Sequence, residues 1–223
     1  MNYDSRATTN PVSKGRSQPA SLHEFNPRMP IGTYRLSAVE YLPHDSECRR
    51  VGARLAEVIL RADGHLQVEH IGSTAVPRCW GKGIIDLLVL YAPEGLDAAR
   101  EVLDRIGFQR QGGEDPFPES RPMRVGSVEH FGRIYRIHAH VIEAGCAEAR
   151  DLVRFRELLR HDGDQRRAYE AQKRAILARG ITRGIEYSHA KGEFIRRALA
   201  VDPSDSMAGG ARSPDSASCS ERG

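Results

Sequence analysis

The hydrophobic pattern of this chain changes period several times between residues 46 and 200. Val51, Leu55, Val58, Ile59 and Ala62 recur at spacings of three and four, one stripe of a helix over 46–62. Asp45 or Ser46 is placed to cap its start and Gly64 to end it. A β-type run follows at 66–71, then Gly72-Ser73-Thr74, then a second run over 84–91, Ile84-Ile85-Asp86-Leu87-Leu88-Val89-Leu90-Tyr91. Leu96, Ala99, Leu103 and Ile106 mark a helix over 95–106 with Gly107 as its stop. Gly112, Gly113, Pro116, Pro118 and Pro122 predict a loop over 110–122, followed by a weak strand near 123–129 and a strong one at 133–142. Helices over 150–161, 164–179 and 185–200 close the pattern. The order α-β-β-α-β-β-α-α-α predicts the α+β class: a short mixed β-sheet backed by helices, with more helices at the C-terminal side.

Residues 1–30, rich in Ser, Pro, Asn and Arg, and 202–223, with Asp-Pro-Ser-Asp-Ser, Gly-Gly and Ser-Pro-Asp-Ser, show no period, so both are expected to be disordered tails flanking one domain at 31–201. With 39% hydrophobic and 28% charged residues, the domain reads as soluble and globular. No apolar run approaches the roughly 20 residues that span a bilayer, and Met1–Ala20 lacks an apolar signal core. A cytoplasmic protein without a membrane partner is expected. Cys48, Cys79, Cys146 and Cys219 are scattered without a CxxC pair, which favours reduced thiols over disulfides or structural zinc. The net charge is +3. The tails carry +2 (Arg6, Lys14, Arg16, Arg28, Asp4, Glu24) and −2 (Arg212, Arg222, Asp202, Asp205, Asp215, Glu221), leaving the excess on the body. That excess, with 6% aromatic residues, argues against a nucleic-acid partner and suits a local pocket for a small anion.

Three groups of residues could carry chemistry. Gly72 and Ser73 form a bend whose backbone N–H groups can approach phosphate oxygens, because glycine has no Cβ to obstruct them. Asp86 follows on the next strand, sharing a face with Ile84, Leu88 and Leu90. An ionised Asp there needs a cation or hydrogen bonds, and it can hold a divalent metal for the phosphates or bond to the neighbouring turn. On the strand Arg133–Glu143, His138 and His140 share one face with Arg136, while Ile137, Ala139 and Val141 form the apolar face. Such a His pair can bind metal, donate to phosphate or move protons, or can simply face solvent. Lys82 and the helical pairs Arg156/Arg160, Tyr169/Lys173 and Tyr187/Lys191 supply cations at one-turn spacing. A Tyr–Lys pair can stack a base while its ammonium meets a phosphate, or be an ordinary surface face. No P-loop and no helix-opening GxGxxG are present.

Taken together these residues resemble the GrpB family of the nucleotidyltransferase superfamily. The match runs through His70-Ile71-Gly72-Ser73-Thr74-Ala75-Val76-Pro77, Lys82, Ile84-Ile85-Asp86, His138-Ala139-His140-Val141 and Phe155–His161, then Tyr169 with Lys173 and Tyr187 with Lys191. The resemblance implies a polymerase-β-like fold, a short helix opening just after Gly72-Ser73, and metal-binding carboxylates on adjacent strands. Relatives fused to dephospho-coenzyme A kinase hint at nucleotide-related partners. Two departures stand out. Pro77-Arg78 and Lys82-Gly83 replace the usual Pro-Gly and Lys-Pro, which predicts a more mobile loop or a different ligand. The superfamily's second strand carboxylate is replaced by Leu88, which Glu69, Glu143 or the His pair would have to replace.

The expected activity is that of a nucleotidyltransferase-type enzyme using a nucleoside triphosphate, Mg²⁺ or Mn²⁺, and a small-molecule acceptor. Asp86, His138 and His140 are the candidate catalytic and metal-binding residues. Gly72, Ser73, Thr74, Lys82, Arg156, Tyr169, Lys173, Tyr187 and Lys191 are the candidate nucleotide-binding residues. The alternative, which Leu88 favours, is a catalytically weak or inactive regulatory domain that binds a nucleotide or small anion.

Overall fold

Strand pairing decides where the polar side chains of the sheet meet. A computed structural model describes residues 29–36, 40–113, 116–182 and 184–200; the expected tails at 1–30 and 202–223 lie outside the described residues apart from Met29 and Pro30. The chain runs α1 (Glu47–Ala62), β1 (Gln67–Ile71), a single 3-10 turn (Ser73–Ala75), β2 (Ile84–Tyr91), α2 (Leu96–Arg105), β3 (Gln109–Arg110), β4 (Met123–His130), β5 (Arg133–Glu143), α3 (Ala147–His161), α4 (Gly163–Ala178) and α5 (Gly184–Ala200). The sheet order is β1-β2-β5-β4-β3. Only β2 and β5 are parallel; the other pairs are antiparallel, so the expected mixed sheet of an α+β fold is present.

Period-2 alternation gives the sheet two unlike faces. Ile85, Leu87 and Val89 of β2 and Ile137, Ala139 and Val141 of β5 point to one side. There they bury against Val51, Leu55 and Ile59 of α1 and Ala99, Val102 and Leu103 of α2. On the other face, Leu88 packs with Ile71, Ile142 and Ala149 of α3, and next to this patch lie Asp86, His138 and His140. Helices α3, α4 and α5 gather Phe155, Leu159, Tyr169 and Ala198 against Val76 and Cys79, just beyond the bend. A polar half-face of the sheet is thereby set against a three-helix cluster.

One local expectation is narrowed to one of its two candidates and two need correction. Asp45 rather than Ser46 supplies the side-chain bond at the start of α1, accepting from the Glu47 N–H at 3.0 Å. The helix ends at Asp63, whose carboxylate accepts from His65 N–H, so Gly64 is not the stop. The segment read as a weak strand is a long one, buried at Met123, Val125 and Val128. Its pattern is obscured because Arg124 is 1% exposed yet ion-paired to Asp104 and Glu119. Gly126 leaves room for Ile31, whose Cγ2 would lie 2.5 Å from an added Cβ. Ile31 belongs to a strap bridged to β4 by reciprocal backbone bonds between Gly32 and Ser127.

Both substituted positions of the loop, Arg78 and Gly83, have positive φ. Gly83 sits at φ +67°, which proline, locked near −65°, cannot adopt. Arg78 occupies φ +64° where the resemblance implies glycine, a conformation in which a Cβ is crowded. Arg78→Gly is therefore expected to stabilise the fold by about 0.5–1 kcal/mol, relief of the crowding outweighing the added freedom of the unfolded chain. Denaturant unfolding checks this, and a lower midpoint in the variant would contradict it.

Candidate active site

The bend and the strand carboxylate meet. Ile71, the last residue of β1, is opposite Asp86 in the antiparallel register, so Gly72 begins the turn directly beside that side chain. Gly72 has φ +71°, and a Cβ there would lie 2.3 Å from Asp86 Oδ2. Only glycine allows the carboxylate this close to the backbone. The turn then winds into the short 3-10 segment that the family resemblance implied, closed by Ala75 N–H to Gly72 O and Val76 N–H to Ser73 O. Asp86 is 27% exposed and is not walled off by the aliphatic cluster around Leu88.

Parallel pairing of β2 with β5 places His138 opposite Asp86 and His140 opposite Leu88. His138 Nδ1 and His140 Nε2 each lie 3.6 Å from Asp86 Oδ1. A carboxylate only accepts and Arg121 only donates, so their neighbours assign both tautomers. Arg121 reaches His140 Nδ1 at 3.4 Å, leaving the proton of His140 on Nε2, toward Asp86. His138 carries its proton on Nδ1, and its Nε2 accepts from the Tyr34 hydroxyl at 2.8 Å. Burial disfavours the charge on Asp86, but the two imidazoles outweigh it and hold the carboxyl well below the usual range. Burial likewise lowers His140.

Two lysines flank this cluster. Lys82 Nζ sits 3.3 Å from the centre of the Tyr187 ring and donates to Thr182 O; Lys191 Nζ is 4.5 Å from the same ring. Burial, reinforced by Lys191, pulls Lys82 down to about 7, with Asp86 opposing. Burial pulls Lys191 down to about 8, again against Asp86. Arg136 joins them by donating to Lys82 O at 3.0 Å.

Gly72, Ser73, Lys82, Asp86, His138, His140 and Lys191 thus converge, while five other candidates serve elsewhere. Thr74 is buried, donating to Ile84 O at 2.9 Å and accepting from His70 Nε2 at 3.0 Å. Arg156 is locked onto Glu69, Glu157 and His70 O, which also removes Glu69 as a second site carboxylate. Tyr169 packs edge-on to Phe155 inside the helix cluster, with no open face for a base. Lys173 is 2% exposed and donates to Ser73 Oγ at 2.8 Å and to Trp80 O, so it supports the bend from behind. Tyr187 is buried under two ammonium groups and is no stacking platform. Sequence reasoning missed Tyr34 and Arg121, which no local motif marks; His70 stood in the family match without a role, and Arg136 was visible on the histidine face.

The expected metal does not fit these side chains. Among the described residues, no group of three or more His, Cys, Asp or Glu is arranged to hold a metal ion. Both imidazoles turn an N–H toward Asp86, and their other nitrogens are taken by Tyr34 and Arg121. Mg²⁺ requires an oxygen-rich set, whereas the second carboxylate position is the fully buried Leu88. The expectation that Asp86, His138 and His140 ligate a metal is therefore not met. A cavity of about 440 Å³ lies nearby, lined by His44, Asp45, Lys82, Arg133 and Arg136 among others, but not by Asp86 or the His pair.

The domain is an α+β fold that sets an Asp–His–His cluster against a glycine bend flanked by lysines. The chain belongs to the GrpB family, whose sequence model, described as GrpB protein, matches residues 38–200. It is 33% identical to a UPF0157 protein of Streptomyces coelicolor, over 72% of this chain and 82% of the relative. It is 36% identical to one of Pseudomonas aeruginosa, over 72% and 66%. The crystal structure of GrpB from Enterococcus faecalis superposes with a TM-score of 0.53 at 22% identity, over 72% of this chain and 97% of the other. A more distant likeness is to Cid1, described as having RNA terminal uridylyl transferase activity, with a TM-score of 0.40 and 16% identity over 60% and 40%. No helix of the described residues is long and apolar enough to cross a membrane.

Two outcomes follow for stability. Gly72→Ala combines an unfavourable φ with overlap on Asp86 and is expected to cost about 1–3 kcal/mol, read by denaturant unfolding; an unchanged midpoint would remove the close approach. Lys82 and Lys191 have folded pKa values below their ordinary 10.5. Above about pH 7 the unfolded chain therefore binds more protons than the folded one, and their contribution makes stability rise with pH. Between pH 7 and 8.5 the wild type should gain stability relative to Lys82→Met/Lys191→Met. Parallel pH profiles would contradict that.

Proposed function

We propose that this protein binds the triphosphate of a nucleotide between the Gly72–Ser73 bend and the ammonium groups of Lys82 and Lys191, and transfers its nucleotidyl group to an acceptor hydroxyl. The observation that carries this reading is the pair of half-buried lysines beside a glycine bend. Among the described residues, neither Lys82 nor Lys191 has a carboxylate within ion-pairing distance; their contacts are a carbonyl and the Tyr187 ring. Holding two ammonium groups this way is costly in the absence of an anion, and a polyphosphate offsets that cost. At Gly72 the space a Cβ would fill is taken by Asp86 Oδ2, and in this reading the backbone N–H groups of the turn that follows meet the same ligand.

In this reading the acceptor hydroxyl takes the place of the Tyr34 hydroxyl at His138 Nε2, which accepts its proton as the oxygen attacks the α-phosphorus. Asp86 keeps the imidazole in the required tautomer and stabilises the imidazolium, as in other carboxylate–imidazole–hydroxyl systems. Lys82, Lys191 and Arg136 neutralise charge on the departing pyrophosphate. Mg²⁺ or Mn²⁺ enters as part of the nucleotide substrate. The buried Leu88 favours a second reading, in which the nucleotide is bound and regulates without turnover.

Calorimetry with each nucleoside triphosphate, with and without Mg²⁺, paired with a pyrophosphate-release assay over an acceptor library, separates the two. Transfer predicts release that is lost in Asp86→Asn; binding with no release in any combination selects the regulatory reading. Triphosphate affinity should fall as pH rises from 6.5 to 9, because Lys82 and Lys191 lose their protons at about 7 and 8. Each Lys→Met change should weaken binding about tenfold or more, the loss of one charge-assisted contact of roughly 1.5–3 kcal/mol. A pH-independent affinity unaffected by either change would remove the lysines from the site.

A further inference from the structure

Tyr34 lies outside the residues 38–200 that match the family, yet its hydroxyl is the group that occupies His138 Nε2, at 2.8 Å across 104 residues of sequence. Its placement is not that of a loosely held side chain. The strap is fastened to β4 by Gly32 N–H to Ser127 O at 2.8 Å and Ser127 N–H to Gly32 O at 3.0 Å. Tyr34 N–H donates to Gln109 Oε1 and Arg35 N–H to Ser127 Oγ, both at 2.9 Å. On the sheet, Ser127 is opposite Arg136 and Val125 is opposite His138. The strap thus crosses β4 and delivers the phenol to the middle of β5. Hydroxyl, imidazole and carboxylate then form a chain: Tyr34 O–H to His138 Nε2, and His138 Nδ1–H toward Asp86. This is the arrangement that activates a hydroxyl nucleophile through an adjacent base oriented by a third group.

Building on the triphosphate site proposed above, we propose that Tyr34 is itself a nucleotidyl acceptor, so that the protein modifies its own strap. The phenolic oxygen attacks the α-phosphorus of the bound nucleoside triphosphate. A tyrosine–phosphorus ester bond forms and the bond from the α-phosphorus to the bridging oxygen breaks. Pyrophosphate departs with the electron pair of that bond, and the phenolic proton passes to His138 Nε2. Charge on the leaving group falls to Lys82, Lys191 and Arg136, the last of which also acts on the Tyr34 hydroxyl. Burial raises the Tyr34 pKa, so the phenol stays protonated at neutral pH and needs the base that touches it. The product is a nucleoside monophosphate in phosphodiester linkage to a tyrosine on a strap that lies beside the site, with His138 Nε2 no longer covered by a free hydroxyl.

The test uses the full chain with each of the four Mg²⁺–nucleoside triphosphates, followed by intact-mass measurement and peptide mapping. The expected result is a gain of one nucleoside monophosphate per chain, located on Tyr34, with an equal amount of pyrophosphate released. Tyr34→Phe should abolish the gain, and His138→Gln should slow it by about 100-fold or more, the usual share of a general base. Mapping the wild-type adduct locates the label without relying on either variant's folding. Label on another residue, or none from wild-type protein that binds the nucleotide by calorimetry, overturns the assignment of Tyr34 and leaves the triphosphate site standing. No nucleotide binding by the wild type overturns both.

Discussion

The close approach of Asp86 to Gly72 is the contact on which the rest of the site depends. It requires β1 and β2 to pair in the register that sets Ile71 opposite Asp86, and it requires a residue without a Cβ at a positive φ just beyond. A carboxylate in a mostly aliphatic strand would be expensive if isolated. Here it is about a quarter exposed and faces two imidazole N–H groups from the parallel strand beside it. Those imidazoles reach it because β5 also alternates, with apolar side chains turned to the core and His138 and His140 turned to the bend. The same alternation that builds the core therefore builds the cluster.

The C-terminal helices complete the arrangement from the other side. Their tyrosines and lysines act on one another more than on any outward-facing ligand. Lys173 fixes Ser73 and the carbonyl of Trp80 from a buried position, and Tyr187 carries the ammonium groups of Lys82 and Lys191. Support for the bend is thus separated from contact with a ligand: one lysine works from behind the turn while two remain half-exposed in front of it. Tyr41 and Trp80 stack beside this support, and the reciprocal backbone bonds between Leu42 and Gly81 tie the loop after the turn to the segment before α1.

Much of this was legible from local pattern. Period-2 spacing was enough to place Asp86, His138 and His140 on shared faces, and the Gly-Ser bend marked itself by chemistry and position. Helical spacing was less informative. Tyr169/Lys173 and Tyr187/Lys191 have the i, i+4 geometry of a surface pair, but α4 and α5 turn those faces inward, and no local signal distinguishes the two cases. Arg156 reads as a free cation until Glu69 meets it from β1, 87 residues away in sequence. Tyr34 lies in a stretch with no period at all, and only the pairing of its strap with β4 brings it to His138. The reading of His138 and His140 as metal ligands failed for a similar reason: residue types suited to ligation were present, but their nitrogens are committed to Asp86, Tyr34 and Arg121.

The central claim is that a polyphosphate is held at the glycine bend beside Asp86. Amide chemical-shift mapping by ¹⁵N NMR, during titration of the full chain with a nucleoside triphosphate at pH 6.5, addresses it most directly. The account predicts saturable shifts centred on Gly72 and Ser73, with much smaller ones at His44, Asp45 and Arg133, which line the neighbouring cavity. Shifts centred on that cavity wall, with Gly72 and Ser73 unmoved, would contradict it.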